Sequence, residues 1–153
     1  MIRFTSFTLS KQVPAGLLIV FTALSLFTAR IGFAAEQANA EKLQNQAKEA
    51  FANGKRDEAI RLVTQAIAIE PKHSRGYFVR ARFHEESGEP ARAIADYDQV
   101  IKLDPRVADA WQHRGGEHFK LGHLPESIAD FDQFIELVPQ QAPYHWQRGI
   151  SYY

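Results

Sequence analysis

The sequence predicts an all-α fold of stacked helical hairpins, an α-solenoid, and three observations carry that prediction. A thirteen-residue sentence recurs: "AIRLVTQAIAIEP" at 59–71, "AIADYDQVIKLDP" at 93–105 and "SIADFDQFIELVP" at 127–139. The later two agree at eight of thirteen positions, with Tyr97 become Phe131. Punctuation recurs at the same interval of 34, in Gly54, Gly88 and Gly122, in Pro71, Pro105 and Pro139, and in Arg80, Arg114 and Arg148. Within each sentence the apolar residues follow helical spacing, as Ile94, Tyr97 and Ile101 do. A hairpin this small cannot bury its own apolar face, so stacked neighbours must supply the missing core.

Each unit reads as two helices. The first runs to the glycine, which ends a helix in the left-handed region at little cost. The second runs to the proline, which cannot continue one. Helices are expected at about 38–53, 57–69, 74–87, 91–103, 108–121 and 125–137, with an incomplete one over 142–153. Ala47, Ala81, Gly115 and Gly149 hold one small position in four successive units.

Residues 1–35 have a different character. They contain Arg3, Lys11 and Arg30 and no acid, and residues 13–29 form an uncharged apolar run. A basic start, an apolar stretch and small residues, in that order, are the parts of an export signal. Cleavage after Ala34, with Gly32 upstream, or after Ala40, with Ala38 upstream, fits the small-x-small rule. Arg30 lies between the run and either site, and the run is near the shortest length that spans a bilayer. An uncleaved anchor, with the body held outside the cytoplasm, is the alternative. The expected division is therefore a signal peptide or membrane anchor over 1–35 and a repeat domain over 36–153. The destination is the periplasm or the medium, or the outer side of the inner membrane if the anchor stays.

The formal charge of zero hides this asymmetry: without those three bases, 15 bases face 18 acids, about −3. A mildly acidic body carries no electrostatic footprint for nucleic acid. The chain has no cysteine, which excludes disulfides, thiolate metal sites and a cysteine nucleophile.

Chemistry-bearing patterns are few. His113, His118 and His123 are spaced by five, whereas helical metal ligands sit three or four apart. "GGEH" at 115–118 lacks the second histidine of a zinc motif. Asp96 with Asp98, and Asp130 with Asp132, diverge around a helix rather than converging across a substrate. Arg80 and Arg114 occur in the units that carry Asp96 and Asp130, while the first unit has Gln46 and Leu62 at both places. Arg80–Asp96 and Arg114–Asp130 ion pairs are expected between the two helices of each hairpin, contributing at most about 1 kcal/mol each if exposed. No phosphate-binding glycine loop or nucleophile elbow is present. The expectation is no metal, no cofactor and no small-molecule substrate.

These marks resemble the tetratricopeptide repeat family over about 40–153. The third unit is the fullest match, with Trp111, Gly115, Gly122, Phe131 and Pro139 at the family's large, small, turn, aromatic and breaker positions. The second matches with Tyr77, Ala81, Gly88, Ala93, Tyr97 and Pro105; in the first, Leu43 and Val63 stand at the large and aromatic positions. Ser127 replaces the usual alanine. The resemblance implies a right-handed superhelix of helix-turn-helix hairpins, three repeats (about 40–73, 74–107 and 108–141) plus a partial fourth at 142–153. It also implies that His84 and His118 stand where the family often has a tyrosine packed between helices.

The function implied is non-enzymatic: a protein-interaction scaffold whose first helices line a concave groove for a peptide or partner segment. The family's groove offsets fall on Gln44, Lys48 and Phe51, on Arg75, Phe78, Arg82 and Glu85, on Asp109, Gln112, Gly116 and Phe119, and on Trp146. Of these, Lys48, Phe51, Phe78, Arg82, Gln112, Gly116, Phe119 and Trp146 are the expected partner-binding set. The lysine–asparagine–asparagine–lysine–arginine clamp of the chaperone-binding subfamily falls on Gln44, Lys48, Val79, Asp109 and His113, so it is not present. Two alternatives stand beside this reading. One is a self-assembling structural protein joined through its aromatic end, where Tyr144, Trp146, Ile150, Tyr152 and Tyr153 cluster. The other is a hydrolase using the repeated acids or histidines.

Overall fold

The computed structural model describes residues 15–140, and the side chains of 34–140. The chain divides into two units, residues 1–36 and 37–153. Six α-helices and no strand occur among the described residues: α1 (Ala15–Ala52), α2 (Arg56–Ile69), α3 (Ser74–Glu86), α4 (Pro90–Leu103), α5 (Ala108–Lys120) and α6 (Leu124–Leu137). The five later helices lie within a residue or two of expectation. α1 is the exception, since it starts at Ala15 and not near residue 38. No proline interrupts the chain between Pro14 and Pro71, and 34–50 is rich in alanine, glutamate, glutamine and lysine, strong helix formers throughout. The expected helix at 142–153, with Trp146 and the aromatic end, lies outside the described residues.

Each hairpin turns on its glycine as expected. Gly54, Gly88 and Gly122 have φ of 76°, 73° and 76°. In all three the residue after the glycine donates its N–H back to the helix: Lys55 to the Ala50 carbonyl, Glu89 to His84, and His123 to His118, each at 2.9 Å. This is the closure that a left-handed residue allows, and it satisfies carbonyls the helix end leaves open. Pro90 and Pro125 then occupy the first turns of α4 and α6, where a missing N–H costs nothing.

Packing follows the repeat. Val63, Tyr97 and Phe131, one per hairpin, are fully buried. Burying side chains of this size stabilises by about 1.5–3 kcal/mol each. Opposite them stand the small residues: a Cβ on Gly115 would come within 3.2 Å of the Phe131 ring. Ala47, Ala50, Ala59 and Val63 of the first hairpin cluster with Val79 and Phe83 of the second. Ala81, Ala93, Tyr97 and Val100 cluster with Ala110 of the third. Each core is thus shared across a hairpin boundary. A matching polar tie recurs at the surface, where Tyr77 Oη donates to the Pro71 carbonyl at 3.2 Å and Trp111 Nε1 to the Pro105 carbonyl at 2.9 Å.

Both expected ion pairs form. Arg80 grips Asp96 through Nε and Nη2 at 2.8 and 2.7 Å, and Arg114 grips Asp130 at 2.9 and 2.6 Å. They are not the exposed pairs for which 1 kcal/mol is an upper bound. The Asp96 and Asp130 side chains are only 8% and 4% exposed. Position 16 residues after the arginine faces inward between the two helices, so the carboxylate is buried and the guanidinium covers it. The third arginine nitrogen reaches the preceding hairpin: Nη1 of Arg80 donates to Thr64 Oγ1 at 3.1 Å, and that of Arg114 to Asp98 at 2.6 Å. The Asp96 bonds hold the Arg80 pKa above its ordinary value. Burial works against the Arg114 charge, but Asp130 and Asp98 more than offset it.

Candidate functional site

The residues expected to form a binding surface lie on the first helices of the hairpins. Between the second and third hairpins they surround a cavity of about 250 Å³. Glu85 enters from α3, Gln112, Gly116, Glu117 and Phe119 from α5, and Phe131 of α6 lies behind. Helical spacing explains the α5 set: 112, 116 and 119 fall on one stripe.

Gly116 opens the cavity. A Cβ built there meets nothing within 4 Å, whereas one on Gly76 would strike Ile67 and one on Gly115 would press on Asp130 and Phe131. Gly76 and Gly115 have a packing reason; Gly116 has none, and glycine within a helix costs about 1 kcal/mol against alanine.

One wall is a fixed polar network. Glu85 Oε2 accepts from Tyr97 Oη at 2.7 Å and lies 3.1 Å from His113 Nδ1. Arg82 Nη1 is 3.2 Å from His113 Nε2. A guanidinium only donates, so Nε2 is the acceptor and the imidazole proton sits on Nδ1, donated to Glu85. Burial opposes the Glu85 charge, but the His113 and Tyr97 hydrogen bonds win and lower its pKa to about 2. Burial and the adjacent Glu85 charge push the Tyr97 phenol far up, so it stays a donor. Glu117, 1% exposed, also lines the cavity, and its carboxylate accepts from Lys120.

The expected binding residues divide by environment. Gln112, Gly116 and Phe119 line the cavity together, with Phe119 37% exposed. Lys48 is exposed on α1. Arg82 is half-buried at the rim, within ion-pair range of Glu85 and Glu86 at 3.6 and 3.3 Å. Phe51 and Phe78 contribute to packing: Phe51 stacks on Phe83 with centroids 4.4 Å apart, and Phe78 meets Tyr97 and His113 edge-on at 5.7 and 5.9 Å. Trp146 lies outside the described residues. Sequence reasoning passed over Glu117 and the role of His113. Glu117 could have been noticed, because the equivalent residue of the second repeat is Phe83.

The two histidines expected to behave alike do not. His84 is buried and its Nδ1 is 2.7 Å from Glu89. His118 is less buried, and at the position of Glu89 it finds His123, ring centroids 5.7 Å apart. Among the described residues no three potential metal ligands converge. A second, open cleft of about 280 Å³ lies in the first hairpin, beside Gln46 and Leu62, which replace the arginine–aspartate pair of the other two.

A search among curated proteins found no match. Solved structures are similar. The first tetratricopeptide domain of Spaghetti (RPAP3), bound to the HSP90 peptide SRMEEVD, is 27% identical with a TM-score of 0.64, over 67% of this chain and 82% of that one. The second domain of the same protein, bound to the same peptide, is 26% identical (TM-score 0.63; 68% and 98%). The Sgt2 domain from Aspergillus fumigatus is 26% identical (TM-score 0.61; 65% and 66%). The tetratricopeptide repeat family model matches residues 45–108 and 84–145. With that match spanning most of the chain and the hairpins stacked in register, the protein belongs to the tetratricopeptide repeat family.

Proposed function

We propose that this chain is a non-enzymatic interaction module that binds an extended peptide or partner segment across the first helices of its hairpins. The observation that carries this is the cavity at Gly116, an opening the packing does not require and the helix is weaker for having. That two similar structures are bound to a peptide supports a peptide-binding role. The ligand differs from theirs in kind. Where the chaperone-binding subfamily's clamp has five basic or amide residues, this chain has Gln44, Lys48, Val79, Asp109 and His113, and His113 is already held by Glu85.

The partner is met outside the cytoplasm. The basic start, apolar run and small residues of 1–35 support export. Among the described residues no helix is long and apolar enough to cross a membrane, and residues 13–29 fall outside the described side chains. Fusing residues 1–40 to a reporter active only outside the cytoplasm tests this. An inactive fusion contradicts it.

Pull-down of the intact chain from the cell envelope, against a Gln112→Ala, Phe119→Ala variant of unchanged helix content, tests the binding face. Both are surface residues, so the fold survives. A partner held by the first and lost by the second supports the face. Equal capture by both moves the site elsewhere, the C-terminal aromatic segment and self-association included.

A further inference from the structure

The position of Gly116 carries long cations in the other two repeats, Lys48 and Arg82. In the second repeat Arg82 stays within reach of Glu85 and Glu86 of its own helix. The third repeat lacks that cation, and the space its side chain would fill is the cavity. Two carboxylates border that space, Glu85 and the almost fully buried Glu117. Glu85 and Glu117 line the cavity beside Lys120 and His113, and Arg82 at the rim lies within reach of Glu85 and Glu86. Phe119, which is exposed, adds an apolar surface suited to an alkyl stem or the face of a guanidinium.

We infer that this cavity receives one basic side chain, lysine or arginine, from the partner segment, in the place that Lys48 and Arg82 hold in the first two repeats. The inference rests on the reading of this face as the binding surface. The stem passes over Gly116 beside Phe119, and the charged end meets Glu85, with the buried Glu117 charge behind it. An acidic side chain would be opposed by both carboxylates.

The test uses the intact chain and immobilised decapeptide pools, random except for a central residue fixed as arginine, lysine, norleucine or glutamate. Retention and the amide shifts of Gln112 and Gly116 are read together. Basic pools are retained about tenfold better than the norleucine pool, and the glutamate pool least. Gly116→Arg, which supplies the chain's own cation, abolishes the preference; Glu117→Gln reduces it, with circular dichroism confirming the fold of both. Equal retention of all four pools, with shifts at Gln112 and Gly116, overturns the inference and leaves the binding face standing. An undiminished basic preference in Gly116→Arg also overturns it. If no pool moves those amides, both the inference and the binding face fail.

Discussion

Arg114 holds Asp130 of its own hairpin with two hydrogen bonds and Asp98 of the preceding hairpin with a third. Arg80 repeats the arrangement with Asp96 and Thr64. One side chain therefore closes a hairpin and fastens it to its neighbour. The first repeat has Gln46 there and a cleft beside it.

Arg114→Ala is expected to cost about 3–5 kcal/mol, because Asp130 is left buried without its partner. Arg114→Met with Asp130→Leu recovers most of that loss, since no charge remains to be solvated. Urea unfolding of the single and double variants measures both. A loss under 1 kcal/mol for Arg114→Ala would mean the pair behaves as a surface contact.

Three glycines should respond to alanine in three ways. Gly88→Ala costs about 1–2 kcal/mol from its left-handed backbone alone, as nothing lies near its Cβ. Gly116→Ala stabilises by about 1 kcal/mol through helix propensity. Gly115→Ala gains less than Gly116→Ala, because its methyl presses on Asp130 and the fully buried Phe131. Thermal unfolding ranks the three, and a gain at Gly115 equal to that at Gly116 contradicts the packing.

Acid should weaken the wall of the cavity. The Glu85 pKa lies below its ordinary value, so the stability it contributes is complete above about pH 4.5 and lost as pH falls toward about 2. Glu85→Gln costs about 2 kcal/mol at neutral pH by weakening charged hydrogen bonds, and the difference from the parent shrinks through that window. Unfolding at a series of pH values reads it. A constant difference across the series would show that the carboxylate charge is not what Tyr97 and His113 recognise.

Much of this was legible in the chain. The interval of 34 fixed the hairpins, the glycines their turns, and the joint absence of Arg and Asp in the first repeat exposed the ion pairs. What periodicity could not reveal was depth. The pairing of Asp96 and Asp130 with their arginines was legible but their burial was not, since the second helix turns them inward. Phe51 and Phe78 fall at groove offsets, yet their rings pack on Phe83, Tyr97 and His113. The cavity needs α3, α5 and α6 at once, and no single stretch holds it. Nor did the hairpin pattern, which begins near residue 40, bear on a helix that starts at Ala15.

The central claim is that the face around Gly116 meets the partner. A photo-crosslinking side chain placed at Gln112, and separately at exposed Glu126 as a control, tests it in intact cells. The account predicts a discrete adduct from Gln112, absent from Glu126 and suppressed by Gly116→Arg. The same adducts from both positions, or none from Gln112 where Glu126 yields one, would contradict it.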